Sequence, residues 1–137
     1  MHRRDLLTLL SALLLLGGCI PTARATIKIG TGFVFADMVR AERIVEDSGL
    51  RRIWSQPPNA PPQPRRLADG SYTSGFEYSS PTSGTYGVAV VFAEGSGSLD
   101  VLFAERNTSF SPEGRERLQA LFAQLQTLFG QHVTLVE

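Results

Sequence analysis

Apolar and polar positions alternate most regularly between Thr85 and Arg106, a stretch rich in β-branched and aromatic residues that is interrupted once, at Gly95-Ser96-Gly97-Ser98. The pattern predicts two strands, Thr85–Glu94 and Leu99–Arg106, folded as a hairpin. With Ser96 and Gly97 as a two-residue loop, Phe92 faces Val101 and Val90 faces Phe103, so the large side chains gather on one face. Ala89, Val91, Leu102 and Ala104 occupy the other face, small but still apolar.

Two segments change to helical spacing. Val34, Phe35, Met38, Ala41, Ile44 and Val45 recur at intervals of three and four, with Asp37, Arg40, Glu42, Arg43, Glu46 and Asp47 between them. This predicts a helix from Phe33 that Ser48-Gly49 stops, Gly49 serving as a left-handed cap. An alternative runs Ile27, Ile29, Phe33 and Phe35 as one strand and delays the helix to Asp37. The second helix has the clearer start: Ser111 is placed to cap, Pro112 takes the first helical position and Glu113 lies at the positive end of the dipole. Leu118, Leu121, Phe122, Leu125, Leu128 and Phe129 form its stripe, and Gly130 ends it.

The remaining segments read as strands and loops. Thr26–Ile29 is either a short edge strand or the end of a tether, and Leu50–Trp54 is extended. Pro57–Pro64 is a proline-rich connector, after which Arg65-Arg66 reads as part of a solvated loop. Tyr72, Phe76 and Tyr78 share one face of a strand over Ser71–Ser79, and His132–Val136 forms a last strand with Val133 and Leu135 on one side. Two amphipathic helices and a mostly antiparallel sheet predict an α+β, two-layer sandwich, both helices on one face. A right-handed crossover places the last strand parallel to Leu99–Glu105, with another strand between them. This order is similar to the ferredoxin-like sandwich with an elaborated sheet, a resemblance that implies fold and no function.

The beginning of the chain carries an address. His2-Arg3-Arg4 is a positive start and Leu6–Leu16 an apolar run too short for a stable transmembrane helix, which predicts a signal peptide over residues 1–18. Leu16-Gly17-Gly18-Cys19 resembles the lipobox of bacterial lipoproteins. That resemblance implies acylation of Cys19, which becomes the new N-terminus. Ile20 stands where an aspartate would imply inner-membrane retention, so the implied address is the outer membrane, facing the periplasm. Residues 19–25 are then lipidated cysteine and tether, with a reach from Ile20 to Ala25 of about 20 Å, and 26–137 the single domain. A competing cut follows Thr22-Ala23-Arg24-Ala25 and would release a soluble periplasmic chain starting at Thr26. Arg3-Arg4 also fits a weak twin-arginine signal, although the leucine run suits the general secretory route better.

Composition narrows the partners. Thirteen basic and thirteen acidic side chains cancel, and from Cys19 onward eleven meet twelve, which gives no footprint for nucleic acid. Cys19 is the only cysteine, so no internal disulfide forms and packing alone must hold an exported fold. With His132 the only histidine of the mature chain, and no H-x-x-H or C-x-x-C spacing, neither a metal site nor a cofactor is expected. His132, at a helix-to-strand junction, reads as a surface residue; Asp100 and Glu105 fall on opposite faces of their strand, and Glu113 and Glu116 are first-turn residues whose dipole and capping roles suffice.

The reading that follows is a small non-catalytic envelope lipoprotein working by protein contact, as an accessory or assembly factor. Ala89, Val91, Leu102 and Ala104 are its candidate contact residues, covered by its own chain, a second copy or another envelope protein. The alternative is a periplasmic ligand-binding or hydrolytic domain in which His132 and the tyrosines Tyr72, Tyr78 and Tyr86 line a cleft. An immunity-type lipoprotein that neutralises a toxin is a third reading without residue-level support.

Overall fold

The hairpin recurs in the structure, a computed structural model that describes residues 21–53, 65–80 and 84–137, but its register differs from the expected one. Strands β5 (Gly84–Ala93) and β6 (Ser98–Glu105) pair Phe92 with Leu99, Val90 with Val101 and Val88 with Phe103, closing a four-residue loop over Glu94–Gly97. The loop is longer because it has a partner. The carbonyls of Ser96 and Gly97 accept the N–H groups of Gly32 and Phe33 at 3.1 and 3.0 Å, while the Gly97 N–H reaches back to the Ala93 carbonyl at 2.8 Å. Gly97 has φ +67, and a Cβ there would lie 2.6 Å from the Phe33 backbone, so only glycine suits the contact. A shift of two residues preserves the faces. Val88, Val90, Phe92, Leu99, Val101 and Phe103 share the main core, and Ala89, Val91, Leu102 and Ala104 the opposite side.

Both helices lie on the main-core face. Helix α1 (Phe35–Asp47) buries Met38, Ala41 and Val45 there, and α2 (Pro112–Phe129) buries Leu118, Leu121 and Leu125. The Asp37 carboxylate accepts the Val34 N–H at 3.0 Å to start α1, and the chain turns at Ser48 and at Gly49, which has the left-handed φ of +92. At the start of α2 the Ser111 hydroxyl accepts the Gly114 N–H at 3.0 Å, with Pro112 beside it.

The expectation for the first strand needs correction. β1 (Ala23–Gly30) is neither an edge strand nor a tether: it lies between β6 and β7 (Thr134–Val136), antiparallel to both. Its alternation sends Ala25, Ile27 and Ile29 into the main core. The sheet begins three residues before the expected domain start at Thr26, since Ala23, Arg24 and Ala25 pair with Glu105, Ala104 and Phe103. Because β1 intervenes, β7 runs parallel to β6, as the crossover argument requires.

The other edge is assembled from two pieces. β2 (Arg51–Arg52) and β3 (Arg65–Arg66) both pair with the outer side of β4 (Tyr72–Ser80), β2 against Glu77 and Phe76 and β3 against Thr73 and Tyr72. Arg65-Arg66, expected in a solvated loop, therefore makes an edge strand, fixed by a turn in which Leu67 N–H meets the Ser71 carbonyl at 2.7 Å. The sheet order is β2-β4-β5-β6-β1-β7, every pairing is antiparallel, and β3 extends the β4 edge. β1, α1, β5, β6, α2 and β7 form the ferredoxin-like arrangement, and β2, β3 and β4 elaborate the sheet beyond β5. The chain is an α+β two-layer sandwich. Residues 1–18, Cys19 and the proline-rich stretch 57–64 lie outside the described residues.

Candidate functional site

The residues expected to line a cleft do not meet. Tyr78 and Tyr86 lie side by side, ring centroids 6.1 Å apart, where β5 begins beside the end of β6. Tyr86 is fully buried and Tyr78 carries the Arg117 guanidinium at 4.0 Å. Tyr72 is at the other end of β4, against Phe35 at 5.0 Å. His132 is exposed beyond the last turn of α2, its ring stacked on Phe33 at 6.3 Å. β1 separates the two groups, because His132 adjoins Gly30 at one end of that strand while Tyr86 faces Glu105, the partner of Ala23, at the other. Tyr72 shares the Gly30 end but lies three strands from β1, across β5 and β6, or about 14 Å, so the register brings no tyrosine up to His132 for shared acid–base chemistry.

Ala89, Val91, Leu102 and Ala104 do come together, forming a second apolar cluster with Ile53 on the sheet face opposite the helices. Their exposures run from 0% to 7%. The outward-looking strip is thus a second core, and a charge placed at Val91 or Leu102 would be buried. Among the described residues the accessible large apolar side chains are elsewhere: Val34, Phe35 and Val39 at the start of α1, exposed by 62%, 40% and 40%, and Val136 in β7. Asp100 sits on the second-core face opposite Lys28 of β1; burial raises its pKa, and the lysine only partly offsets the effect.

Two polar clusters were not foreseen in the sequence. In the first, the Glu42 carboxylate beneath α1 accepts a short hydrogen bond from Ser74 of β4 and another from Arg52 of β2 at 3.2 Å. The second Arg52 nitrogen reaches Glu46 at 2.8 Å, and the guanidinium lies over the Phe76 ring at 5.0 Å. Glu42 and Ser74 are 3% and 1% exposed. A serine beside a carboxylate suggests a nucleophile and its base, but a hydroxyl sealed under a helix meets no substrate. The cluster is a clamp that holds the edge strand to α1.

In the second cluster the Glu105 carboxylate, fully buried at the end of β6, accepts the Ser111 N–H at 2.9 Å at the start of α2. Its other oxygen has no hydrogen-bond partner among the described residues. Gly114 packs against this carboxylate with no room for a side chain.

Between the C-terminal turn of α1 and the first half of α2 the helices splay into an open cleft of about 370 Å³. Leu50, Phe103 and Leu121 lie at its base and Glu113, Glu116 and Arg117 at its rim, with Arg117 engaged by Glu113 at 3.5 Å as well as by Tyr78. Ser48 also lines the cleft, its hydroxyl donated to the Ile44 carbonyl at 2.9 Å. Among the described residues no three His, Cys, Asp or Glu side chains gather to hold a metal ion, and no helix is long and apolar enough to cross a membrane. No family model, curated protein or solved structure matches the chain.

Proposed function

We propose that the protein is an exported lipoprotein of the cell envelope, anchored through Cys19 and facing the periplasm at the outer membrane, whose non-catalytic α+β domain acts by contact with another envelope protein. The observation that favours this reading is the place of β1. A cut after Ala25 would remove the first three residues of a central strand, including Ala25, which is 3% exposed between β6 and the helices. A cut before Cys19 leaves the strand whole. The surface offered to a partner would be the accessible set of Val34, Phe35 and Val39 rather than the buried strip on the other face.

Intact mass of the protein purified from its own membrane fraction is the test. The expected species begins at Cys19 and carries acyl chains, and Cys19→Ala should leave the membrane fraction. A species that begins at Thr26 without lipid would refute the anchoring.

A further inference from the structure

β1 fixes where an anchored chain enters its domain. Only Ile20, Pro21 and Thr22 separate Cys19 from Ala23, so the tether is half as long as the six residues expected from sequence. Fully extended, Cys19 to Ala23 spans about 14 Å. Ala23 marks one end of the sheet. β6 finishes there, opposite Ala23, β7 stops three residues short, opposite Thr26, β4 and β5 run two residues further, to Ser80 and Gly84, and the loop from Arg106 to Ser111 leads from this end into α2. At the opposite end of β1, about 23 Å away, are the Glu94–Gly97 loop, His132 and the exposed Val34 and Phe35.

We propose that the Ala23 end is the lipid-facing surface of the domain, which stands on the bilayer with the Glu94–Gly97 loop directed away. This rests on the anchoring proposed above. The tether is shorter than the sheet, so the far end cannot take the place of the near one at the headgroups. The chemistry of the near end agrees: the exposed loop Asn107-Thr108-Ser109 is polar and uncharged, and Arg115 is neutralised by a two-pronged pair with Glu137 at 2.8 and 3.0 Å. Such a surface meets headgroups through neutral polar groups and a paired charge. The sides suit lipid less well, since the exposed residues of α1 and α2 include Arg43, Glu46, Glu116 and Gln119. Standing upright also leaves Val34, Phe35 and Val39 free of the bilayer and open to a partner.

Ser109→Cys and Ser96→Cys, both at exposed loop positions, test the arrangement, because acylation of Cys19 leaves no other thiol in the mature chain. Each lipidated protein, confirmed by intact mass, is labelled with bimane and placed in phosphatidylethanolamine vesicles containing a lipid with a nitroxide on its headgroup. A separation of some 20 Å between the two loops should make quenching at position 109 at least about twofold stronger than at 96. Equal quenching would mean that the domain lies on its side, and stronger quenching at 96 that it is inverted; either overturns the proposal while leaving the anchor intact. An unlipidated mass would overturn the anchor itself, and the orientation with it.

Discussion

Glu105 and Gly114 are fitted to each other at the start of α2. The carboxylate fills the space in which a Cβ on residue 114 would stand, and Tyr86 closes the other side at 3.1 Å. Helix propensity alone favours alanine over glycine in that first turn by about 1 kcal/mol. Packing should win, because the obstructing atom is held by the Ser111 N–H and Glu105 is fully buried. Gly114→Ala is expected to destabilise the domain by about 2 kcal/mol or more in urea unfolding. In a Glu105→Ala background the same change should cost far less, and additive effects of the two substitutions would show that the residues do not compete for that space. Neither half of this pair was legible in the sequence: Glu113 and Ser111 announce a helix start, but nothing local says that a glutamate nine residues before Gly114 lies under it.

At the scale of elements, what was legible is what local chemistry specifies. Helix α2 begins at Pro112 after the Ser111 cap and ends before Gly130, as expected, because cap, proline and stripe agree. β1 was not legible. Its eight residues have only Ile27 and Ile29 as large apolar side chains, and its centrality comes from partners some 75 residues further on, Val101 and Phe103 among them. The divided edge strand was hidden in the same way, since Arg52 and Arg66 earn their places by pairing with β4 rather than by strand propensity. For β2 a second attachment can be tested. Glu42→Ala would leave the Arg52 guanidinium and the Ser74 hydroxyl short of their buried partner, at an expected cost of about 3 kcal/mol. Hydrogen exchange should locate that loss first at the Ile53 N–H, which donates to the Gly75 carbonyl at 3.0 Å, and across β2. If Ile53 retains its protection relative to β6, the cluster does not hold the edge.

For the whole molecule, the decisive feature is that the fold uses residues between the two cuts proposed from the sequence. A signal cut normally falls in a segment that the mature domain can spare, and here the candidate cuts lie on opposite sides of the first three residues of a central strand. A chain beginning at Pro21 keeps Ala23, Arg24 and Ala25 against β6, whereas one beginning at Thr26 gives up those pairings and uncovers Phe103, the partner of Ala25. The lost backbone hydrogen bonds and apolar burial should make the shorter chain less stable on the order of 2 kcal/mol. Both chains can be expressed without lipid and compared by urea unfolding, so the result does not depend on export or acylation. Equal stabilities would remove the structural objection to release at Ala25 and return the soluble periplasmic form to contention. A clear deficit in the shorter chain would mean that processing there damages the domain it is meant to release, leaving the cut before Cys19 as the one compatible with an intact sheet.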